Sequence, residues 1–212
     1  VRKLLVFFVI LAVIFVAGDF AARAFAEKKA ADQLQTRLGL SSPPSVGFSG
    51  WPFLVHAFSG SFPAVHVSAD RLDAKGITFS DLRLDLKDVT FSMRDILNGK
   101  ARAVQAEGGT GTISISESSL NQVLGDAGAP FDVNLSAGTA TADIPGVGSQ
   151  SVNVSVAAGT LTLGAPGLPS PFSIALPQVL DSLTYETGRI TDSAVLLQVK
   201  LGRTSLQRPA GL

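Results

Sequence analysis

The chain is 212 residues long, 46% hydrophobic and only 16% charged, where an average soluble domain carries about 25% charge. Seventeen Lys and Arg balance seventeen Asp and Glu, so there is no basic field to attract nucleic acid. The absence of Cys excludes disulfides, thiolate metal sites and a cysteine nucleophile. The length fits one domain plus a terminal segment, or one large all-β domain.

Arg2 and Lys3 precede an apolar run from Leu4 to Ala17, "LLVFFVILAVIFVA", which Gly18 and Asp19 end. A basic start before an apolar stretch is an export signal. The run is shorter than the ~20 residues of a bilayer span, but Phe20, Ala21 and Ala22 extend it. "AFA" at Ala24 to Ala26 has the form of a small-x-small cleavage site. Residues 1–22 are therefore expected to be either an uncleaved signal anchor or a cleaved signal peptide. The positive-inside rule then leaves Arg2 and Lys3 in the cytoplasm and everything after Asp19 outside. Residues 23–212 are expected to form a single extracytoplasmic domain that opens with a helix over 23–39.

From Asp19 to Leu38 the composition is helical, with neither Gly nor Pro. Ala24, Ala31 and Leu38 repeat every seven residues with Leu34 beside them, which predicts a narrow packing stripe. Gly39 is placed to stop the helix, and "SSPPSV" (Ser41 to Val46) reads as a stiff, extended connection. Next comes "GFSGWPFLVHAFSGSFPAVHV" (Gly47 to Val67), which holds the only Trp and both His residues. Phe53, Leu54 and Phe58 are near helical spacing, and Pro52 suits the first position of a short helix. Three readings stay open for this stretch: a plug at one end of the core, the mouth of an apolar cavity, or a loop dipping into a bilayer surface.

The period then changes to two. Val65, Val67 and Ala69 alternate with polar residues, and a long strand follows from Gly76 to Phe91. Its apolar positions slip by one residue at Ser80–Asp81 and again at Lys87–Asp88, as β-bulges do. "SMRDILNG" (Ser92 to Gly99) predicts a helical turn. "ARAVQAEGGTGTISI" predicts strands on both sides of a Gly pair, and Ser116 can cap a short helix bearing Leu120, Val123 and Leu124. Further strands are expected at Phe131 to Leu135, Thr139 to Ile144, Val152 to Val156, Thr160 to Leu163, Phe172 to Leu176, Leu183 to Thr187 and Val195 to Leu201. Turns are expected at Pro145-Gly146 and near Gly188, and a helical turn in "PQVLDSL". The apolar spacing of Leu82, Leu84, Leu86, Val89 and Phe91 recurs at Leu197, Val199, Leu201, Thr204 and Leu206. That repeat is either chance or a pair of similar bent hairpins at the two ends of one curved sheet.

Chemistry-bearing motifs are scarce. His56 and His66 are ten residues apart with turns between them and no tight acidic cluster nearby, which is not metal-ligand spacing. "GFSGW" places a Ser between Gly residues, but not at nucleophile-elbow spacing. "GGTGTIS" and "GVGSQS" match no phosphate-binding fingerprint and read as hairpin turns. No catalytic residue, metal site or cofactor is expected, and both His residues are read as structural.

The order of segments nevertheless resembles a family. A basic-apolar anchor and an Ala/Lys helix are followed by "P-x-V-x-F-x-G-x-P-F-L" (Pro44 to Leu54), then "VHVSADRL" and "GITFSDLRLDLKDV". This is similar to the LmeA-like phospholipid-binding proteins of the actinobacterial cell envelope, with Trp51 where Phe is expected. The resemblance implies a mainly β fold with flanking helices (α+β), a curved antiparallel sheet wrapped around helices as in tubular lipid-binding proteins. It also implies phospholipid and the membrane as partners, at the periplasmic side of the plasma membrane. The function it implies is support of envelope glycolipid or mannan assembly; an envelope glycosyltransferase is the protein partner expected if the apolar loop docks a protein instead. It supplies no catalytic residue. On this reading Trp51, Pro52, Phe53, Leu54, Phe58, Phe62, Phe79 and Leu84 line a lipid cavity or its mouth, and Arg71, Arg83 and Arg94 are the cations for a head group. The alternative is a non-enzymatic structural or partner-binding β-domain of the envelope.

Overall fold

The computed structural model describes residues 2–74, 76–92, 94, 103–168, 170–177 and 182–207. The expected helical turns at Ser92 to Gly99 and in "PQVLDSL" fall largely outside those residues. The N-terminal apolar run and the Ala/Lys segment form one uninterrupted helix, α1 (Arg2–Leu38), which runs straight through the expected boundary at residue 22. Gly39 (φ +63°) ends it in the left-handed region. Leu40 N–H then reaches back to Gln35 C=O at 3.0 Å, closing a Schellman turn.

The packing face of α1 differs from the expected stripe. Ala24 and Leu38 are exposed, and of that stripe Ala31 and Leu34 pack inward. The face that docks is Asp19, Ala22, Ala26, Ala30, Ala31 and Leu34. Counting apolar residues alone missed it, because carboxylates form part of it. The small Ala side chains let the helix come close, and Asp19 and Glu27 then reach backbone N–H groups opposite.

Those groups belong to β1 (Ser45–Phe48) and α2 (Phe53–Ser59). Strand β1 includes residues expected to be connection; it pairs with β2 (Ser61–Ala74) as an edge strand. Glu27 Oε1 accepts from Phe48 N–H at 3.0 Å and from Arg23 Nε at 2.9 Å, which occupies one donor of the open edge. Pro52 is the N-cap of α2, one position before the expected first-turn site. Gly60 (φ +69°) closes α2 and accepts at its C=O from Phe91 N–H at 2.9 Å. A Cβ there would lie 2.7 Å from the Phe91 carbonyl, so a side chain is excluded by both conformation and space.

Strand β3 (Ile77–Phe91) pairs with β2 along its whole length. The apolar positions slip at both expected places, where Asp81 (φ +51°) and Asp88 (φ +47°) take left-handed backbone; the register with β4 (Ala103–Ser116) shifts at the first, between Ser80 and Arg83, and runs unchanged through the second, which is therefore not a bulge. The Gly pair expected at a hairpin turn lies instead inside the continuous strand β4. These glycines permit a close approach. A Cβ on Gly109 would lie 2.8 Å from the Asp85 carbonyl, and one on Gly111 would meet the Arg83 carbonyl.

Helix α3 (Glu117–Asp126) follows, with Ser116 Oγ accepting from Ser119 N–H at 3.2 Å as expected for its cap. Then come β5 (Val133–Ser136), β6 (Thr139–Ile144), β7 (Gly148–Ala157), β8 (Thr160–Gly164) and β9 (Phe172–Ala175), a five-stranded antiparallel meander in chain order. Asn121 of α3 bonds both the N–H (2.8 Å) and the C=O (2.9 Å) of Val133, and Glu117 accepts from Leu135 N–H at 2.7 Å. The second edge strand, β5, is thus covered by a helix as β1 is.

β10 (Leu183–Ile190), β11 (Ala194–Leu201) and β12 (Thr204–Gln207) return to the first sheet. Its order is β1-β2-β3-β4-β11-β10, with β12 beside β4, making seven strands. Gly188 lies within β10, against Val156 of β7, and the turn falls at Thr191, whose N–H bonds Ala194 C=O at 2.8 Å. The repeated apolar spacing has a structural counterpart, though not at the sheet's two ends. β3 and β11–β12 are the two neighbours of β4: Leu84 and Val199 both face Gly111, and Val89 and Thr204 both face Ala106. The slip at Asp88 and the break between β11 and β12 lie at one level of β4, where Arg203 bonds Glu107 at 2.9 Å.

The result is mainly β with three helices among the described residues, antiparallel sheets and no closed barrel. Tyr185, the sole tyrosine, is buried and donates to Pro177 C=O at 2.7 Å. Burial raises its phenol above the ordinary value of 10.0. Because the folded value is the higher one, the stability this group contributes is complete below the unfolded-state pKa and is lost as pH rises through the folded one. An absorbance titration of the phenolate should therefore have its midpoint above 10.0 in the folded protein and return to the ordinary value in denaturant.

Candidate lipid-binding site

Two apolar cores form, one at each end of the bent β2–β3 hairpin. The first gathers Ala26 and Ala31 of α1, Val46 and Phe48 of β1, Phe53 of α2, Phe62 and Val65 of β2, Val89 and Phe91 of β3, and Ala106 of β4. Four of its phenylalanines interlock, with Phe62 and Phe91 stacked at 5.1 Å and Phe48 and Phe62 at 4.9 Å. The second core lies between the two sheets and α3, and contains Leu72, Phe79, Ile113, Leu120, Leu124, Leu161, Leu163, Val195 and Leu197.

Between the cores the same face of the sheet is only partly covered. Val67, Leu82, Leu84 and Leu86 alternate with outward-facing polar residues and are half-buried, whereas Phe62, Phe79 and Val89 at the hairpin's ends are closed off. Leu82 touches the second core and Val67 and Leu86 the first, while Leu84 belongs to neither. Across from Leu84 and Leu86 the neighbouring strand offers Gly111 and Gly109, which carry no side chain. This apolar strip extends roughly 13 Å from Leu82 to Leu86 at 3.3 Å per residue.

The residues expected to line a lipid cavity are thus distributed over four places, with Pro52 at the N-cap of α2. Phe53 and Phe62 are packed inside the first core, with Leu54 against it, and Phe79 is inside the second. Leu84 lies on the strip. Trp51 and Phe58 are 66% and 90% exposed, and with Val55 (57%) they form the outer face of α2. Sequence periodicity missed Val67, Leu82 and Leu86 as site candidates, since nothing in an alternating strand tells which part of its inner face stays uncovered.

The expected head-group cations are also separated. Arg71 bonds Asp73 (Nε to Oδ2, 3.1 Å) and approaches Thr78 Oγ1 at 3.4 Å. The Arg71 guanidinium, followed by the Thr78 hydroxyl, holds the Asp73 carboxyl below its ordinary value. Arg83 alternates with Leu82 and Leu84 and so faces outward. Arg94 is exposed, three residues past Phe91 of the first core.

Two further arrangements bear on chemistry. Ser49 Oγ lies 3.0 Å from His66 Nε2, and His66 Nδ1 contacts Asp85 Oδ1, the atom order of a hydrolase triad. The surroundings differ from a triad's: the His66 and Asp85 side chains are 56% and 59% exposed, whereas a working triad acid is buried so that it fixes the ring. The two residues are cross-strand partners on the outer face, which accounts for their contact without catalysis. An open depression of about 500 Å³ is bordered by Ala129, Pro130, Phe131, Asp132 and Asp143; its two carboxylates disfavour a phosphate. Among the described residues, no group of three or more His, Asp or Glu is placed to hold a metal ion.

A mostly β protein with a long apolar N-terminal helix and a half-covered apolar strip between two cores has the features of a lipid-handling domain. The chain belongs to the LmeA-like phospholipid-binding family, whose model matches residues 17–209. No curated protein and no solved structure matches it.

Proposed function

We propose that this is a membrane-anchored, non-enzymatic phospholipid-binding protein whose acyl-chain seat is the strip of Val67, Leu82, Leu84 and Leu86. The observation that carries this reading is the uneven closure of one hairpin face, buried at both ends and, apart from the small Ala69, half-open between them. Each lipid CH₂ moved out of water onto such a surface gains ~0.8 kcal/mol, which offsets the cost of drawing a chain from a bilayer. Family membership supports phospholipid as the ligand. The N-terminal helix, long and apolar enough to cross a membrane, is compatible with an anchor or a signal segment. In this reading residues 1–22 are the anchor and residues 23–212 a single domain on the periplasmic side of the plasma membrane.

The first core, adjoining the anchor, is the membrane-proximal end, and the strip leads from it toward the second core. Arg94 stands at that proximal end and is the proposed head-group cation. The outer face of α2 forms the mouth. Binding or transfer of phospholipid at this position would serve assembly of envelope glycolipids or mannans, with an envelope glycosyltransferase as the protein partner. Organic extraction of the purified protein followed by mass spectrometry tests the reading. It predicts phospholipid in near-stoichiometric amount, above that of a single-span control protein purified in the same detergent. A lipid content equal to the control's would favour the partner-binding β-domain instead.

A further inference from the structure

We infer that α2 is embedded in the outer leaflet, with Trp51, Val55 and Phe58 facing the acyl chains, and that the Asp19 carboxylate holds it there. The inference rests on α1 spanning the membrane. Lys3 and Arg23 are the cations that bracket the apolar part of α1, and the interval between them measures about 30 Å at 1.5 Å per residue, the thickness of a bilayer's hydrocarbon layer. With Lys3 at the inner boundary, Arg23 reaches the outer one. Asp19 then lies one helical turn, about 6 Å, inside it.

A bare carboxylate at that depth is unfavourable, yet Asp19 is 2% exposed. Its two oxygens accept from the first N–H groups of α2, Phe53 at 2.9 Å and Leu54 at 2.7 Å. These are donors that a helix start leaves unpaired. The bonds fix the level of α2: its N-terminus lies beside residue 19, inside the hydrocarbon boundary, at the ~5–10 Å depth typical of interfacial helices.

The chemistry of α2's two faces agrees. Phe53, Leu54 and Ala57 turn to the first core, while Val55 and Phe58 of α2, and Trp51 just before the helix, are exposed. Phe20 of α1, next to Asp19, is exposed at the same height, and Phe25 is exposed about 3 Å past Arg23. Lys28 and Lys29 come next along α1, about 8–9 Å past Arg23, at the level of the phosphates. An apolar patch continuous with a membrane span, with cations following it, fits a bilayer interface rather than a protein partner.

The only Trp of the chain is the probe. The full chain is reconstituted in vesicles of phosphatidylcholine and phosphatidylglycerol whose acyl chains are brominated either near the glycerol or near the terminal methyl. Trp51 fluorescence should be quenched strongly by the shallow bromines and weakly by the deep ones. Phe58→Asp, at a side chain that is 90% exposed, should lift α2 and remove about half of that quenching or more. Trp51 unquenched by either lipid, in protein that resists alkaline extraction from the vesicles, would overturn the placement of α2 while leaving the span intact. Release of the chain by alkali would overturn the span, and the inference with it.

Discussion

Asp19→Ala is expected to destabilise the α1–α2 end of the molecule by about 3–5 kcal/mol. Two charge-assisted hydrogen bonds are worth about 1.5–3 kcal/mol each, and their removal strands the N–H groups of Phe53 and Leu54 at a site closed to water. Phe53 would loosen next. It is buried against Phe48 and Phe62, at ring separations of 5.9 and 5.6 Å, so the first core opens when α2 leaves. Asp19→Asn should lie between the variant and the wild type, because an amide offers one acceptor oxygen and turns its NH₂ toward the other N–H. Denaturant unfolding in micelles, followed by Trp51 fluorescence, measures all three proteins. Asp70→Asn is the control and should shift stability by no more than about 0.5 kcal/mol, since Asp70 is exposed on β2, away from α1 and α2. An Asp19→Ala protein that unfolds with the wild type would show that α2 is held by packing alone.

Leu84→Asp is expected to lower the phospholipid recovered with the protein at least tenfold while leaving the fold in place. Leu84 is half-buried and belongs to neither core, so its loss opens no sealed cavity; the cost to folding should stay near 1 kcal/mol. A seated acyl chain would instead meet an unpaired carboxylate, a penalty of several kcal/mol, and each 1.4 kcal/mol is a factor of ten in binding. Phe79→Ala makes the contrast. Phe79 is fully buried in the second core, and its truncation should cost about 3–5 kcal/mol of stability. Unchanged lipid content in Leu84→Asp would exclude the strip as the seat.

How much of this was legible in the sequence depends on what kind of physics set each feature. The bulge at Asp81 and the slip of the apolar positions at Asp88 were readable because a one-residue slip changes which positions are apolar. The cap at Ser116 and the stop at Gly39 were readable because their chemistry is local. Gly109 was misread as a turn since a turn glycine and a close-approach glycine look alike; only the Asp85 carbonyl, 2.8 Å from where a Cβ would stand, tells them apart. The packing face of α1 was missed for a related reason. Asp19 and Glu27 are defined by partners at Phe53, Leu54 and Phe48, more than twenty residues away, and no periodicity records them. The site was half legible. The aromatic stretch around Trp51 announced itself by composition, but whether Phe53 or Phe58 meets the core is decided by the side of α2 that Asp19 turns inward. The strip stayed hidden, since exposure midway along a strand is set by what fails to cover it.

The account depends on an acyl chain resting between the two cores, and photo-crosslinking locates it most directly. The full chain is loaded with a phospholipid carrying a photoreactive group midway along its acyl chain, and the adducts are mapped by peptide mass spectrometry. Beyond adducts on α1, the account predicts labelling of Val67, Leu82, Leu84 and Leu86, reduced in Leu84→Asp. Labelling confined to α1 and to Trp51, Val55 and Phe58, with none on the strip, would contradict it.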